Sequence, residues 1–147
     1  MLNQKIEKRS TSEINRYGLF AKEIIFKNEL VWSPTENEIK KISVNEFEKL
    51  PVDDKQIWID HCYQIDDYFQ MDTDDTRLMN HSCDPNTMDY PTDDPTMIVA
   101  KRDIQKNEEV TWNYLPFMNP YQAFPCNCGS ENCVEIVKKN AVFKSDR

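Results

Sequence analysis

Three cysteines stand within eight residues as Cys126-x-Cys128-x4-Cys133. A disulfide between Cys126 and Cys128 would be badly strained at that separation. A zinc ion holding thiolates at about 2.3 Å tolerates tight loops, and a closed structural site takes four ligands. The sequence offers His61, Cys62, His81 and Cys83 for the fourth position. Cys83 is the best placed, because the turn-like run Ser82-Cys83-Asp84-Pro85-Asn86 can present its side chain, whereas Cys62 falls on the apolar face of a predicted helix. The spacing thus points to structural zinc on Cys83, Cys126, Cys128 and Cys133. His61 reads as a partly buried helix residue, and Cys62 as a buried small hydrophobe.

A second chemical feature is regional acidity. Between Asp53 and Asp94 stand twelve Asp and no Glu against Lys55 and Arg77, a balance of 2 − 12 = −10 within a net charge of −8. Such a stretch repels phosphate backbones, so direct nucleic-acid binding is not expected, and it steers basic peptides or proteins toward itself. Asp72, Asp74 and Asp75 do not make a calcium loop, since no glycine follows at the sharp turn and no Glu stands twelfth. Gly18 and Gly129 are the only glycines among 147 residues, which excludes the glycine-rich phosphate cradles of nucleotide-binding folds. No run approaches the ~18 apolar residues that span a bilayer. Met1 to Arg9 lacks the apolar core of a secretory signal, so an intracellular, reducing setting is expected, where clustered cysteines are metal ligands more often than disulfides.

The elements that must position these residues are mostly strands. Glu13 to Phe26 mixes β-branched and aromatic residues around Gly18, and Glu29 to Trp32, Tyr68 to Met71, Met97 to Lys101 and Glu109 to Trp112 also read as strands. The last two are joined through a turn near Lys106-Asn107. Ser43 and Glu46 have the form of a capping box for a helix from Val44 that Pro51 stops. Asp53 or Asp54 would cap a second helix, with Ile57, Trp58, His61 and Cys62 on one face and Leu50, Ile57 and Trp58 in the core. The expected fold class is mainly β with a small helical insert.

Four segments in order carry a family resemblance. Arg77-Leu78-Met79-Asn80-His81-Ser82-Cys83-Asp84-Pro85-Asn86 resembles the R-F-x-N-H-S-C-x-P-N signature of the SET-domain protein lysine methyltransferases. Asn107-Glu108-Glu109-Val110-Thr111-Trp112-Asn113-Tyr114 resembles their G-E-E-L-T-F-D-Y block. Cys126-Asn127-Cys128-Gly129-Ser130-Glu131-Asn132-Cys133 is similar to the post-SET zinc loop, and Arg16-Tyr17-Gly18-Leu19-Phe20-Ala21 to the opening G-x-G-L-F-A segment.

The resemblance implies a SET-domain (β-clip) fold with a C-terminal pseudoknot, one domain over 1–147. Its core would run over about 12–116 with the helical, acidic insert at 35–76, and the post-SET zinc segment over 117–137. It implies S-adenosylmethionine as cofactor, contacted by Arg16, Tyr17, Arg77, Asn80 and His81, with Tyr63 a looser match. Tyr114 would be the catalytic tyrosine, Trp112 and Phe117 would line the lysine channel, and Cys83 again completes the zinc site. The substrate would be a lysine in a basic protein such as a histone tail. The rival reading is an inactive SET-like module that binds a basic peptide, and a homodimer is possible in either case. Departures from the family pattern include Arg16 for the first glycine, Asn107 for the turn glycine, Asn113 for Asp, and Val134-Glu135 for Arg-Gly. Trp112 stands where a Phe or Tyr usually governs methyl number, and its larger ring implies mainly monomethylation.

Overall fold

The computed structural model describes residues 1–13, 16–35, 38–90 and 97–147; Asp93 and Asp94 of the acidic stretch lie outside the described residues. Among the described residues the strands form four sheets. The largest contains β1 (Ile6–Ser10), β2 (Tyr17–Ala21), β10 (Glu109–Trp112) and β7 (Asn80–His81), in the order β1-β2-β10-β7. A second joins β3 (Leu30–Trp32), β9 (Ile98–Ala100) and β8 (Thr87–Asp89), and a third joins β4 (Ile39–Ser43), β6 (Tyr68–Asp72) and β5 (Tyr63–Ile65). A hairpin of β11 (Ala123–Pro125) and β12 (Ile136–Lys138) follows the short 3-10 turn Leu115–Phe117. No helix among the described residues is long and apolar enough to cross a membrane.

The main core lies between the first two sheets, where Leu19, Ala21, Val31, Trp32, Ile98, Ala100, Ile104 and Val110 are buried together. The insert has its own core of Phe47, Cys62, Phe69 and Met71, with the Phe47 and Phe69 rings edge to face at 4.9 Å. Helix α1 (Val44–Glu48) begins as its sequence requires. The Ser43 hydroxyl accepts from the Glu46 N–H at 3.1 Å and the Glu46 carboxylate accepts from the Ser43 N–H at 2.7 Å.

Two expectations need correction. Helix α2 (Val52–His61) starts before Asp53 and Asp54, with Pro51 at its cap position and no side-chain cap; the two acids sit in its first turn, where they favour the positive end of the helix dipole. Its inward face is Trp58 and Ile59, which pack on the insert core, while Ile57 is 53% exposed and His61 is exposed too. β9 and β10, joined through the turn read from the sequence, belong to different sheets: β9 pairs with β3 and β8, and β10 with β2 and β7. The turn between them is as expected, since Asn107 takes the left-handed conformation (φ 70°) that its side chain tolerates.

Candidate active site

The site is assembled around β7, a strand of two residues. Thr111 and Trp112 of β10 pair in parallel with Asn80 and His81. Asn86, the last residue of the signature, clamps β10 a second time: its side-chain amide donates to the Glu109 carbonyl at 2.8 Å and its oxygen accepts from the Thr111 N–H at 3.0 Å. The signature segment therefore runs along β10 and is fixed from both ends.

Two cavities flank this junction. The polar one is lined by Arg16, Asn80, His81, Glu109, Phe124 and Cys126. The packing behind Asn80 and Glu109 shows why Gly18 is a glycine. A Cβ there would stand 2.4 Å from Glu109 Oε1 and 3.1 Å from Asn80 Nδ2, and those two groups bond each other at 2.7 Å. The Asn80 amide also donates to the Tyr17 carbonyl at 3.1 Å, so Tyr17 contributes through its backbone. Arg16 reaches Glu13 at 2.5 Å and lines the rim. Glu109 is a site residue the sequence reading did not single out. Its place in the Glu-Glu pair after the turn was visible, but which of the two carboxylates faces the cavity depends on the strand's register.

The second cavity, about 630 Å³, is aromatic. Tyr63, Trp112, Tyr114 and Phe117 line it, with Asp72, Thr76 and Arg77 in the same wall. Tyr63 and Arg77, grouped by resemblance with the cofactor contacts, thus lie here rather than against the polar cavity. The Trp112 indole stacks on Phe117 (5.7 Å, 5° between planes) and its N–H donates to Asp89 at 2.8 Å, so its plane is fixed. The Tyr63 hydroxyl donates to Asp72 Oδ1 at 3.2 Å. Burial raises the Asp72 carboxyl to about 7.

Tyr114 belongs to the aromatic cavity and is tied by one backbone hydrogen bond to His81, which lines the polar one. Its hydroxyl donates to the Met79 carbonyl, and its backbone N–H donates to His81 Nδ1 at 3.1 Å. Burial pushes its hydroxyl well above the ordinary tyrosine range, so it stays neutral. Burial also lowers His81 to about 4, which leaves a neutral ring. With Nδ1 accepting, the proton of that ring belongs on Nε2, which faces Cys83 Sγ at 3.3 Å.

Cys83, Cys126, Cys128 and Cys133 come together with their sulfurs all within 4.8 Å of one another. Cys83 lies 3.8 Å from Cys126 and 3.9 Å from Cys133. Four thiolates about 2.3 Å from one zinc ion at tetrahedral angles would stand about 3.8 Å apart, and a disulfide would need about 2.05 Å, so the cluster fits zinc. The Val134 N–H points at Cys83 Sγ (3.5 Å) and the Glu135 N–H at Cys133 Sγ (3.3 Å). Glu135, where the family usually has glycine, takes a left-handed φ of 69°. Cys62 is apart from this cluster, buried, with its thiol pushed up to about 12 by desolvation.

A mostly stranded molecule with a signature strand fixed along β10 and a four-cysteine cluster beneath is a SET domain, and the SET domain family model matches residues 16–115. The chain belongs to that family. It is 32% identical over 130 residues to human histone-lysine N-methyltransferase SETD1B, a match covering 83% of this chain and 6% of that protein. It is 29% identical over 157 residues to the H3 lysine-36 specific histone-lysine N-methyltransferase of Candida albicans, covering 92% of this chain and 18% of the relative. The chain therefore spans a small fraction of the length of these relatives. The methyltransferase domain of human SETMAR has the same fold, with a TM-score of 0.66 at 19% identity over 94% of this chain and 59% of that one.

Proposed function

We propose that this chain is a protein lysine methyltransferase that uses S-adenosylmethionine and acts on a basic protein such as a histone. The observation that carries the reading is Tyr114, a buried neutral tyrosine in the wall of the aromatic cavity, bonded through its backbone to His81 of the polar one and with its hydroxyl proton already committed to the Met79 carbonyl.

Asn80, His81, Arg16 and Glu109 would hold the cofactor. Gly18 lets β2 pack directly behind Glu109 and Asn80, which fixes those two groups in the wall that would face the ligand. When bound, S-adenosylmethionine supplies an electrophilic methyl on a positive sulfonium. The residues of this chain then contribute placement, which accounts for a large part of a bimolecular reaction's barrier. The aromatic cavity takes the lysine stem, and Tyr114, with its hydrogen directed at Met79, turns hydroxyl lone pairs toward the amine. A lysine is almost wholly protonated at neutral pH, and an apolar channel favours its uncharged form by desolvation. Trp112, clamped by Asp89 and Phe117, limits the room for added methyl groups and supports monomethylation. Cys83, Cys126, Cys128 and Cys133 would hold zinc, and His81 ties that site to the Tyr114 backbone.

Exposed Asp53, Asp54, Asp60, Asp66, Asp67, Asp75 and Asp84 supply the charge complementary to a basic substrate. The test is incorporation of labelled methyl from S-adenosylmethionine into core histones and a whole-cell lysate. Methyllysine in a basic protein is the expected result. Tight binding of histone tails with no affinity for S-adenosylmethionine would overturn it in favour of a peptide-binding module.

A further inference from the structure

The aromatic cavity carries polar groups for which the aromatic walls give no reason. Asp72, at the end of β6, is the nearest partner of the Tyr63 hydroxyl, which spends its proton on Asp72 Oδ1. Tyr63 Oη therefore keeps only its acceptor lone pairs, as Tyr114 Oη does after donating to Met79. Thr76 lines the same cavity, is 5% exposed, and its hydroxyl oxygen is buried without a hydrogen-bond partner. The guest that suits the two tyrosine hydroxyl oxygens in this state is a donor-only group, and an alkylammonium carries three N–H donors and no acceptor.

We infer that Asp72 is a positioning residue for the substrate lysine: by accepting the hydrogen bond of the Tyr63 hydroxyl it fixes Tyr63 Oη as an acceptor for the lysine N–H groups. The inference rests on the lysine-methylation reading and adds a recognition element to it. Asp72 acts through Tyr63 and need not touch the substrate. Without it the Tyr63 hydroxyl is free to turn its own hydrogen into the cavity, where it opposes an incoming ammonium. An amide at position 72 still offers an oxygen to Tyr63, so it preserves the orientation.

The test compares wild-type protein with Asp72→Ala, Asp72→Asn, Tyr63→Phe and the Asp72→Ala/Tyr63→Phe double variant, using recombinant histone H3 as the probe. It reads kcat, KM for H3, affinity for S-adenosylmethionine by calorimetry, and thermal stability. Asp72→Ala and Tyr63→Phe should each raise KM for H3 about tenfold, the effect of losing one hydrogen bond to a charged group. Cofactor affinity should stay within about twofold of wild type, Asp72→Asn should recover most of the KM, and the double variant should be no worse than the worse single. An unchanged KM in Asp72→Ala, full additivity in the double variant, or loss of cofactor binding would overturn the proposal. Should Asp72→Ala fail to fold, Tyr63→Phe with unaltered KM overturns it alone. A wild-type protein that binds S-adenosylmethionine yet leaves core histones and a whole-cell lysate unmethylated removes the lysine reading itself, and the proposal with it. Wild-type turnover beside an indifferent Asp72→Ala removes only the role of Asp72.

Discussion

The polar cavity and the aromatic one are built by different means. The polar one is made of backbone-near groups locked in a chain: Tyr17 carbonyl, Asn80 amide, Glu109 carboxylate, with the Gly18 Cα in contact below them. The aromatic one is made of side-chain rings from β5, β10 and the turn after it, held at centroid separations of 5.7 to 6.3 Å. A surface of the first kind has no freedom to accept an added atom, so substitutions there act on whether a ligand binds. A surface of the second kind is set by ring size and tilt, so substitutions there act on how a bound group is aligned.

That contrast can be broken first at what the cavities share. Cys83→Ser removes one of the four thiols and the His81 contact together, and structural thiolate sites contribute several kcal/mol or more to folding. It should abolish stoichiometric zinc, lower the melting temperature by about ten degrees or more, and end cofactor binding and turnover alike; full zinc occupancy in elemental analysis of this variant would break the assignment. Tyr114→Phe comes next. It keeps the ring and removes the hydroxyl, so turnover should fall at least about 100-fold while S-adenosylmethionine affinity stays within about threefold. An equal loss of both would mean that Tyr114 serves packing alone.

Gly18→Ala probes the polar cavity by itself. The new methyl would collide with Glu109 Oε1 at 2.4 Å and must displace the carboxylate from Asn80. Cofactor affinity should drop about tenfold with the KM for histone unchanged, a hydrogen bond's worth of loss. Trp112→Phe probes the aromatic cavity by itself and has the smallest effect on rate. It should shift products toward di- and trimethyllysine by mass spectrometry with cofactor affinity unaltered. Abundant trimethyllysine from the wild-type protein would show that ring size at this position does not limit methyl number.

The same contrast explains what was legible beforehand. Asn80, His81, Cys83, Trp112 and Tyr114 sit in contiguous motifs, and the three-cysteine spacing names its own chemistry, so these residues could be read directly. The Ser43 cap and the Asn107 turn were legible because both depend on interactions within four residues. Asp72, Thr76 and Ile98 of the aromatic cavity belong to no motif; Asp72 and Ile98 reach it through sheet pairing, which depends on partners far along the chain, and Thr76 through the 3-10 turn Asp75–Leu78 that follows β6. Short strands such as β1, β4 and β12 escaped for the same reason, since three to five residues of mixed polarity take their strand character from the neighbour they pair with. Ile57 was misplaced because the inward stripe of α2 is chosen by the insert core on which Trp58 and Ile59 pack, a partner the helix sequence alone does not show.

The hydrogen bonds around His81 have a consequence in time as well as in space. Tyr114 and its His81 partner are 33 positions apart, and Cys83 and Cys133 are 50 apart, yet the geometry of each depends on the other through one imidazole. Folding rates fall as such distant contacts accumulate, because the loop entropy must be surrendered before the contacts reward it. The insert, whose strands β5 and β6 pair across a turn of two residues, can form early, whereas the junction of β7, β10 and the cysteine cluster must assemble late and together. A molecule refolding from denaturant should therefore regain most of its β signal before it regains any cofactor affinity, and the speed of the second phase should depend on free zinc.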